Sequence, residues 1–537
     1  MSKENDEIHI ARTDIHLNYQ SYKKEIEENT SSTSADVALA PKTMSCSIDG
    51  QVVKFLPGDT IMQAAERAQI AADIPRYCYH PGLPVAGTCR MCTVEVEKMP
   101  KLMTSCSTPA SEGMVVHTKS EKVLKSRKGV MEFLLANHPL DCPVCDKAGE
   151  CELQDYNYEY GPGTSRFKEE KRTFEEADSK KLSEKIYLNM NRCVHCERCV
   201  RFTDEVTKSH DLVMENRGWK KELSVTDSDK GLWNDYQGCL SDFCPVGALT
   251  FTDFRFQKRA WFLDKKSSIC DQCSKGCNVE VHSDKEIIYR LMPIFNEKVN
   301  GHWMCDEGRV SYKTSMNPTR VIAPLIWHVN QISQKGELLS CSWQMALKIS
   351  QEVCKKIFSQ STNPTSKLIL GTDTTNEDAQ WMLNRLKSHP LLKQINELYY
   401  YNGINGVNEP KDDLALDHLL RRKDKTPNTN GLQSLGISPI EDNQTLELDL
   451  VVYVRFGRAG FPKLLDRAKK IIFIGVFDQQ EIVKWGNKII SILPGLTSFE
   501  KKGSYTNCEQ ITQHFDMAIK HLGEGKPLGE IVTELGL

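Results

Sequence analysis

Three thiols stand close together in HPLDCPVCDKAGECELQ, residues 138–154: Cys142, Cys145 and Cys151. A cysteine-held metal centre usually takes four ligands, and this run offers no fourth thiol. Four residues before Cys142 stands His138, completing His-x3-Cys-x2-Cys-x5-Cys. Neutral imidazole is a competent iron ligand and replaces thiolate in some [2Fe–2S] centres. A histidine beside cysteines is more often a bystander or part of a zinc site, so spacing alone leaves its role open.

Three further sets follow the same logic. Cys193, Cys196 and Cys199 in NRCVHCERCVRF form Cys-x2-Cys-x2-Cys. Such a run caps three irons of a [4Fe–4S] cubane, and a remote Cys-Pro thiolate closes the fourth corner. CLSDFCPVGALTF offers Cys239 and Cys244 for that place. Cys244 has the Cys-Pro context and is chosen; Cys239 is read as a neighbouring thiol, and His195 as a cluster-facing or surface side chain. Cys270, Cys273, Cys277 and Cys305 form Cys-x2-Cys-x3-Cys with a fourth thiol 28 residues on. They suit a cubane, with a four-cysteine zinc ribbon as the alternative. Cys78, Cys89, Cys92 and Cys106 suit a [2Fe–2S] core with two thiolates per iron. Zinc or free thiols compete there, and GTCRMC weighs against them. The four sets leave only Cys46, Cys239, Cys341, Cys354 and Cys508 unassigned. Several clusters on one chain without a substrate-pocket motif read as an electron wire.

These thiols need elements to position them. MSCSIDGQVVKFLPGDT reads as a hairpin around an IDGQ turn, and TIMQAAERAQ as a helix capped by Asp59 or Thr60. Two strands, a helix and a glycine-bearing Cys-x2-Cys loop resemble a β-grasp ferredoxin. The gap from Cys78 to Cys89 departs from the plant-type Cys-x4-Cys spacing. Farther on, KLILGTDTTNEDAQWMLNRL and LDLVVYVRFGRAGFPKLLDRAKKIIFIGVF predict strand-then-helix units of a parallel α/β domain. No Gly-rich dinucleotide fingerprint accompanies them, and GRAG alone is weak evidence for phosphate binding.

Composition narrows the function. The chain of 537 residues is too long for one core, and three or four domains are expected. Acids number 72 against 69 lysines and arginines, which gives no reason to expect a nucleic-acid partner. Apolar runs are strand-sized, so any membrane role is expected to run through partner subunits. Residues 1–43 are polar and acidic, without the apolar core of a secretory signal, and are read as a flexible tail of a cytoplasmic protein. Seventeen of the 20 cysteines lie between Cys46 and Cys305, and in such a chain metal chemistry is favoured over disulfides.

The order and spacing of the four sets resembles the large iron–sulfur subunit of bacterial respiratory complex I, the NADH:quinone oxidoreductase, over about residues 44–325. GLPVAGTCRMCTVEV, ANHPLDCPVCDKAGECELQD, RCVHCERCVRF, FCPVGALT and CDEGR carry it. The resemblance implies that His138 ligates a [4Fe–4S] cluster, giving one [2Fe–2S] and three [4Fe–4S] clusters in all. It implies an FMN- and NADH-binding partner, other peripheral-arm subunits, and a membrane arm met indirectly. The site would be peripheral, on the cytoplasmic side of the inner (plasma) membrane. It places the Cys270 cluster off the main path. After Cys305 the chain resembles the molybdopterin oxidoreductases more loosely, in a shortened form read as a scaffold. The expected class is therefore multidomain α+β and α/β. Its parts are a tail (1–43), a β-grasp domain (44–121), a two-cluster α+β domain (122–265), a further cluster domain (266–322) and a degenerate α/β domain (323–537). The alternatives are the cluster subunit of an NAD-linked hydrogenase or formate dehydrogenase, and a zinc-stabilised interaction protein.

Overall fold

The hairpin at the front closes through Asp49 and Gly50, both at positive φ (49° and 84°). Asp-Gly is the pair that a two-residue turn of matching twist requires. Strands Met44–Ile48 and Gln51–Phe55 flank it. A computed structural model describes residues 43–71, 74–174, 180–329, 336–360, 364–388, 398–401, 403, 415–440, 447–457 and 459–536. Apart from Thr43, the expected N-terminal tail lies outside the described residues.

The front sheet has five strands, in the order Gln51–Phe55, Met44–Ile48, Val115–His117, Thr93–Val96, Met103–Thr104. Met44–Ile48 pairs in parallel with Val115–His117, and the other pairings are antiparallel. Helix Ile61–Arg67 covers one face and buries Ile61, Met62, Ala64 and Ala65. Of the two expected caps, Thr60 serves, in a reciprocal box with Gln63. Asp59 instead pairs with Arg67.

Helix Glu121–Asn137, capped by Ser120, leads out of this sheet. The helix ends at His138, which is extended ahead of Pro139, and the last carbonyls, Leu135 and Ala136, accept bonds from the Lys171 ammonium at 2.8 and 2.9 Å. Short elements follow: helices Glu152–Tyr160 and Gln237–Phe243, and sheets of three and two strands. An antiparallel sheet, Asp264–Ile269, Asn278–Asp284 and Ile287–Pro293, completes this half.

The back half is built on an eight-stranded sheet. Six strands run parallel: Ile489–Pro494, Ala468–Gly475, Leu448–Arg455, Ser366–Gly371, Leu398–Tyr401 and Ser438–Pro439. Leu325–Val329 and Gly336–Ser340 extend one edge antiparallel. A parallel sheet is covered on both faces, so its strands read as continuous apolar runs. Val452, Val454, Ile472 and Ile474 face one core, with helices Trp343–Gln360 and Leu528–Leu535, while Val451, Tyr453, Ile471 and Phe473 face the other.

One expected unit differs. KLILGTDTTNEDAQWMLNRL forms strand Ser366–Gly371 and helix Asn376–Ser388 as expected. Between Leu448–Arg455 and Ala468–Gly475, however, the described residues form only a short 3₁₀ turn, Lys463–Arg467. Gly460 and Pro462 consume the start of a crossover that is already near the minimum length, leaving no room for an α-helix. At this point of the sheet, where chain order reverses, the Asp373 carboxylate accepts the backbone N–H groups of Phe456, Gly457 and Ala459 at 2.9, 2.8 and 3.1 Å. The GRAG amides thus bind an anion, and the anion is the chain's own.

The back half does not stand apart. Hairpin Gly503–Thr506/Thr512–Phe515 lies over loop 270–277: Gln513 donates to the Gly276 carbonyl, Asn507 to that of Lys275, and Cys508 N–H to that of Ser274. Arg320 and Glu500 form a buried pair at 2.6 Å, 3% and 0% exposed. Arg320 also donates to the carbonyls of Ser315 and Gly495. Arg320→Met should strand a buried carboxylate and cost about 3–5 kcal/mol, whereas Arg320→Met with Glu500→Gln should recover part of the loss. Denaturant midpoints of the three proteins measure both.

Candidate metal centres

The first set sits where loops meet the front sheet. Cys92 immediately precedes strand Thr93–Val96, and Cys106 follows Met103–Thr104. Cys78, Cys92 and Cys106 are buried and Cys89 is partly covered. Arg90, between Cys89 and Cys92, takes the left-handed backbone (φ 59°), which folds the Cys-x2-Cys loop back on itself. The thiols touch: hydrogen bonds from Cys106 and Cys89 hold Cys78 well below its ordinary range, and Cys106 holds Cys92 down at about 6. The same bonds, together with burial, hold Cys89 and Cys106 well above that range, so thiolate character is uneven across the set.

In the second set His138 is the residue at which helix Glu121–Asn137 ends. Burial, aided by Arg192, lowers its pKa to about 4, so the imidazole is neutral and able to ligate. Cys142 opens a 3₁₀ turn and is exposed; Cys151 caps helix Glu152–Tyr160. Burial raises Cys145 and pushes Cys151 up to about 12. Arg192, ion-paired with Asp141 at 2.9 Å, acts electrostatically on both His138 and Cys145.

The third set lines one small cavity with Phe243, Val246 and Leu249. Cys193, Cys196, Cys199 and Cys244 all face it. Cys239 does not: its thiol donates to the Met304 carbonyl at 3.2 Å, away from the cavity. His195 turns its Nε2 to the Lys221 carbonyl at 2.9 Å. Burial pushes Cys193 and Cys196 up to about 12 and Cys199 well above the usual range.

The fourth set occupies the tip of two antiparallel strands. Cys270 N–H donates to the Cys277 carbonyl at 2.8 Å, one step beyond the pair Ile269–Asn278. Cys305 caps helix Asp306–Arg309 and accepts the Gly308 N–H on sulfur. All four thiols are buried, and burial raises each; Cys273 is pushed up to about 11.

Sulfur crowds two glycines. A Cβ on Gly247 would lie 2.3 Å from the Cys145 sulfur, and one on Gly308 3.0 and 3.4 Å from those of Cys270 and Cys305. Gly247 in CPVGA therefore gives room to a thiol of the second set. Among the described residues no three Cys, His, Asp or Glu side chains surround a position for a single ion. Sets of mostly buried thiols suit a polynuclear cationic core that compensates several thiolates at once. The residues fit iron–sulfur groups.

Arginines complete the sites, and cysteine spacing gave no notice of them. Arg198 lies between Cys196 and Cys199, 3% exposed. It donates to the carbonyls of Tyr79 (3.0 Å) and Phe243 (2.8 Å) and forks onto Glu152. Arg201 joins the carbonyls of Cys78, Cys196 and Pro84. CERCVRF shows both arginines, but their partners lie up to 123 residues away.

Known families and proteins match the same cysteine-rich part of the chain. Residues 42–121 match the family described as a 2Fe-2S iron-sulfur cluster binding domain. Residues 127–166 match the NADH-ubiquinone oxidoreductase-G iron-sulfur binding region, and 183–250 the ferredoxin-like domain of NADH-quinone oxidoreductase subunit 3. The G subunit of the NADH-quinone oxidoreductase of Rickettsia bellii is 40% identical over 311 residues, 58% of this chain and 44% of that protein. The mitochondrial NADH-ubiquinone oxidoreductase 78 kDa subunit of Neurospora crassa is 40% identical over 321 residues, 59% of this chain and 41% of that one. The matches thus span less than half the length of these relatives. A solved NAD+-reducing [NiFe]-hydrogenase chain aligns at 29% identity with a TM-score of 0.35, covering 40% of this chain and 91% of that one. Through its cysteine-rich part, the chain is similar to the G subunits of NADH-quinone oxidoreductases.

Proposed function

We propose that the chain is an electron-relay subunit of an NADH:quinone oxidoreductase, carrying electrons from an NADH- and FMN-binding partner towards membrane quinone, with proton translocation in the membrane arm. One observation carries this reading. Thiols of all four sets, Cys78, Cys151, Cys196, Cys244, Cys270, Cys277 and Cys305 among them, belong to one continuous buried core. A water-poor core of that kind favours electron transfer between fixed sites over exchange with solvent.

In this reading Cys78, Cys89, Cys92 and Cys106 hold a [2Fe–2S] cluster in a β-grasp domain, residues 44–121. His138, Cys142, Cys145 and Cys151 hold one [4Fe–4S] cluster, and Cys193, Cys196, Cys199 and Cys244 a second, within 122–265. Cys270, Cys273, Cys277 and Cys305 hold a third, within 266–322. Residues 323–537 are a shortened molybdopterin-oxidoreductase-type scaffold. When bound, such clusters supply one-electron redox chemistry at potentials tuned by charge and hydrogen bonding. The chain's own residues hold them, exclude water and place positive charge beside them. The partners are the flavin subunit and other peripheral-arm subunits. Among the described residues no helix is long and apolar enough to cross a membrane; the seat proposed for the chain is peripheral, on the cytoplasmic side.

Three outcomes test this. Anaerobic reconstitution should give about fourteen irons per chain with matching acid-labile sulfide; about ten irons with stoichiometric zinc would make the Cys270 set a zinc site. Cys244→Ser should abolish the EPR signal of the third set and stop NADH-to-quinone transfer in the assembled complex, while Cys239→Ser leaves turnover nearly intact. His138→Cys adds a negative charge to the ligand shell, so reduction becomes harder and the midpoint potential falls; His138→Ala should lose iron readily. Redox-titrated EPR reads both variants, and an unchanged His138→Ala spectrum would give the fourth ligand to another residue.

A further inference from the structure

Arg198 touches the backbone beside a proposed ligand in two sets and a side chain beside one in another. Its NH2 group donates to the carbonyl of Tyr79, next to Cys78 of the first set. NH1 donates to the carbonyl of Phe243, next to Cys244 of the third. Both nitrogens fork onto the carboxylate of Glu152, next to Cys151 of the second, at 3.1 and 3.3 Å. Arg198 is itself placed between Cys196 and Cys199. Its Nε–H is buried without a protein partner, a donor that cluster sulfur can satisfy.

The bonds of Arg198 run to the first three sets. The fourth is tied to the third differently: Asp306, beside Cys305, accepts the N–H groups of Gln237 and Gly238 at the start of helix Gln237–Phe243. The contrast provides an internal control.

We propose that Arg198 is the positioning residue that fixes the spacing of the first three centres and shares one positive charge among them, an inference resting on the relay reading above. A planar fork of N–H donors can reach three separate acceptors in one plane, whereas an ammonium on a flexible stem holds no such geometry. A charge held between centres also stabilises each reduced form, so it acts on three potentials together.

The test uses the full chain as wild type, Arg198→Met and Arg198→Lys, each reconstituted anaerobically. Iron is assayed, and every centre's potential and magnetic interaction with its neighbours is read by redox-titrated EPR. Arg198→Met should lower the potentials of the first three centres together, or cost iron from all three, and weaken the interaction between the first and third. The Cys270 centre should stay unchanged. Arg198→Lys, which keeps the charge, should restore the potentials more than the interaction. A change confined to the Cys193 set, no change, or a change in all four sets would each overturn the proposal. A wild type that takes up no iron would instead defeat the relay reading itself.

Discussion

A loop that turns its cysteines inward leaves its own carbonyls without a ladder to join, and buried carbonyls must find donors. Much else in the front half follows from that requirement. Around the first three sets the donors are cationic side chains: Arg127 to Thr93, Arg198 to Tyr79 and Phe243, Arg201 to Cys78, Arg259 to Pro143 and Cys145, and Lys147 to Ser241. These bonds satisfy carbonyls of loops, of a strand start and of a helix end, and they bring positive charge towards thiols that are mostly buried. Backbone repair and charge compensation are one interaction here.

The same constraint explains the thinness of secondary structure between residues 138 and 250, where short helices and two small sheets suffice. Long-range cationic bonds take over the tying that ladders perform elsewhere. The back half solves the problem conventionally, with a parallel sheet covered on both faces and carbonyls paired within it.

How much was legible in the sequence depended on range. The Asp-Gly turn, the capped helix after it and the strand-helix unit beginning at Ser366 are written in neighbouring residues, and local chemistry sufficed to find them. The preference for Cys244 over Cys239 followed from a proline one place on; Cys244 lines the same cavity as Cys193, Cys196 and Cys199. Gly247 and Gly308 looked like loop glycines; only their spatial neighbours reveal that sulfur needs the room. The missing crossover helix was written locally, in Gly460 and Pro462, whereas the Asp373 carboxylate on the GRAG amides joins segments about 80 residues apart, which no local pattern encodes. The arginines were visible, but their partners were not.

The hairpin over loop 270–277 sets a schedule. Its residues, up to Phe515, leave the ribosome about 240 residues after Cys277, a delay of roughly 10–50 s at ordinary synthesis rates. The thiols of the first three sets have all been made by Cys244, so their loops can close around metal early. The fourth set, whose covering hairpin arrives last, stays open to metal donors for longest. On the relay reading, the order in which the four sites can close follows from where the lid is encoded.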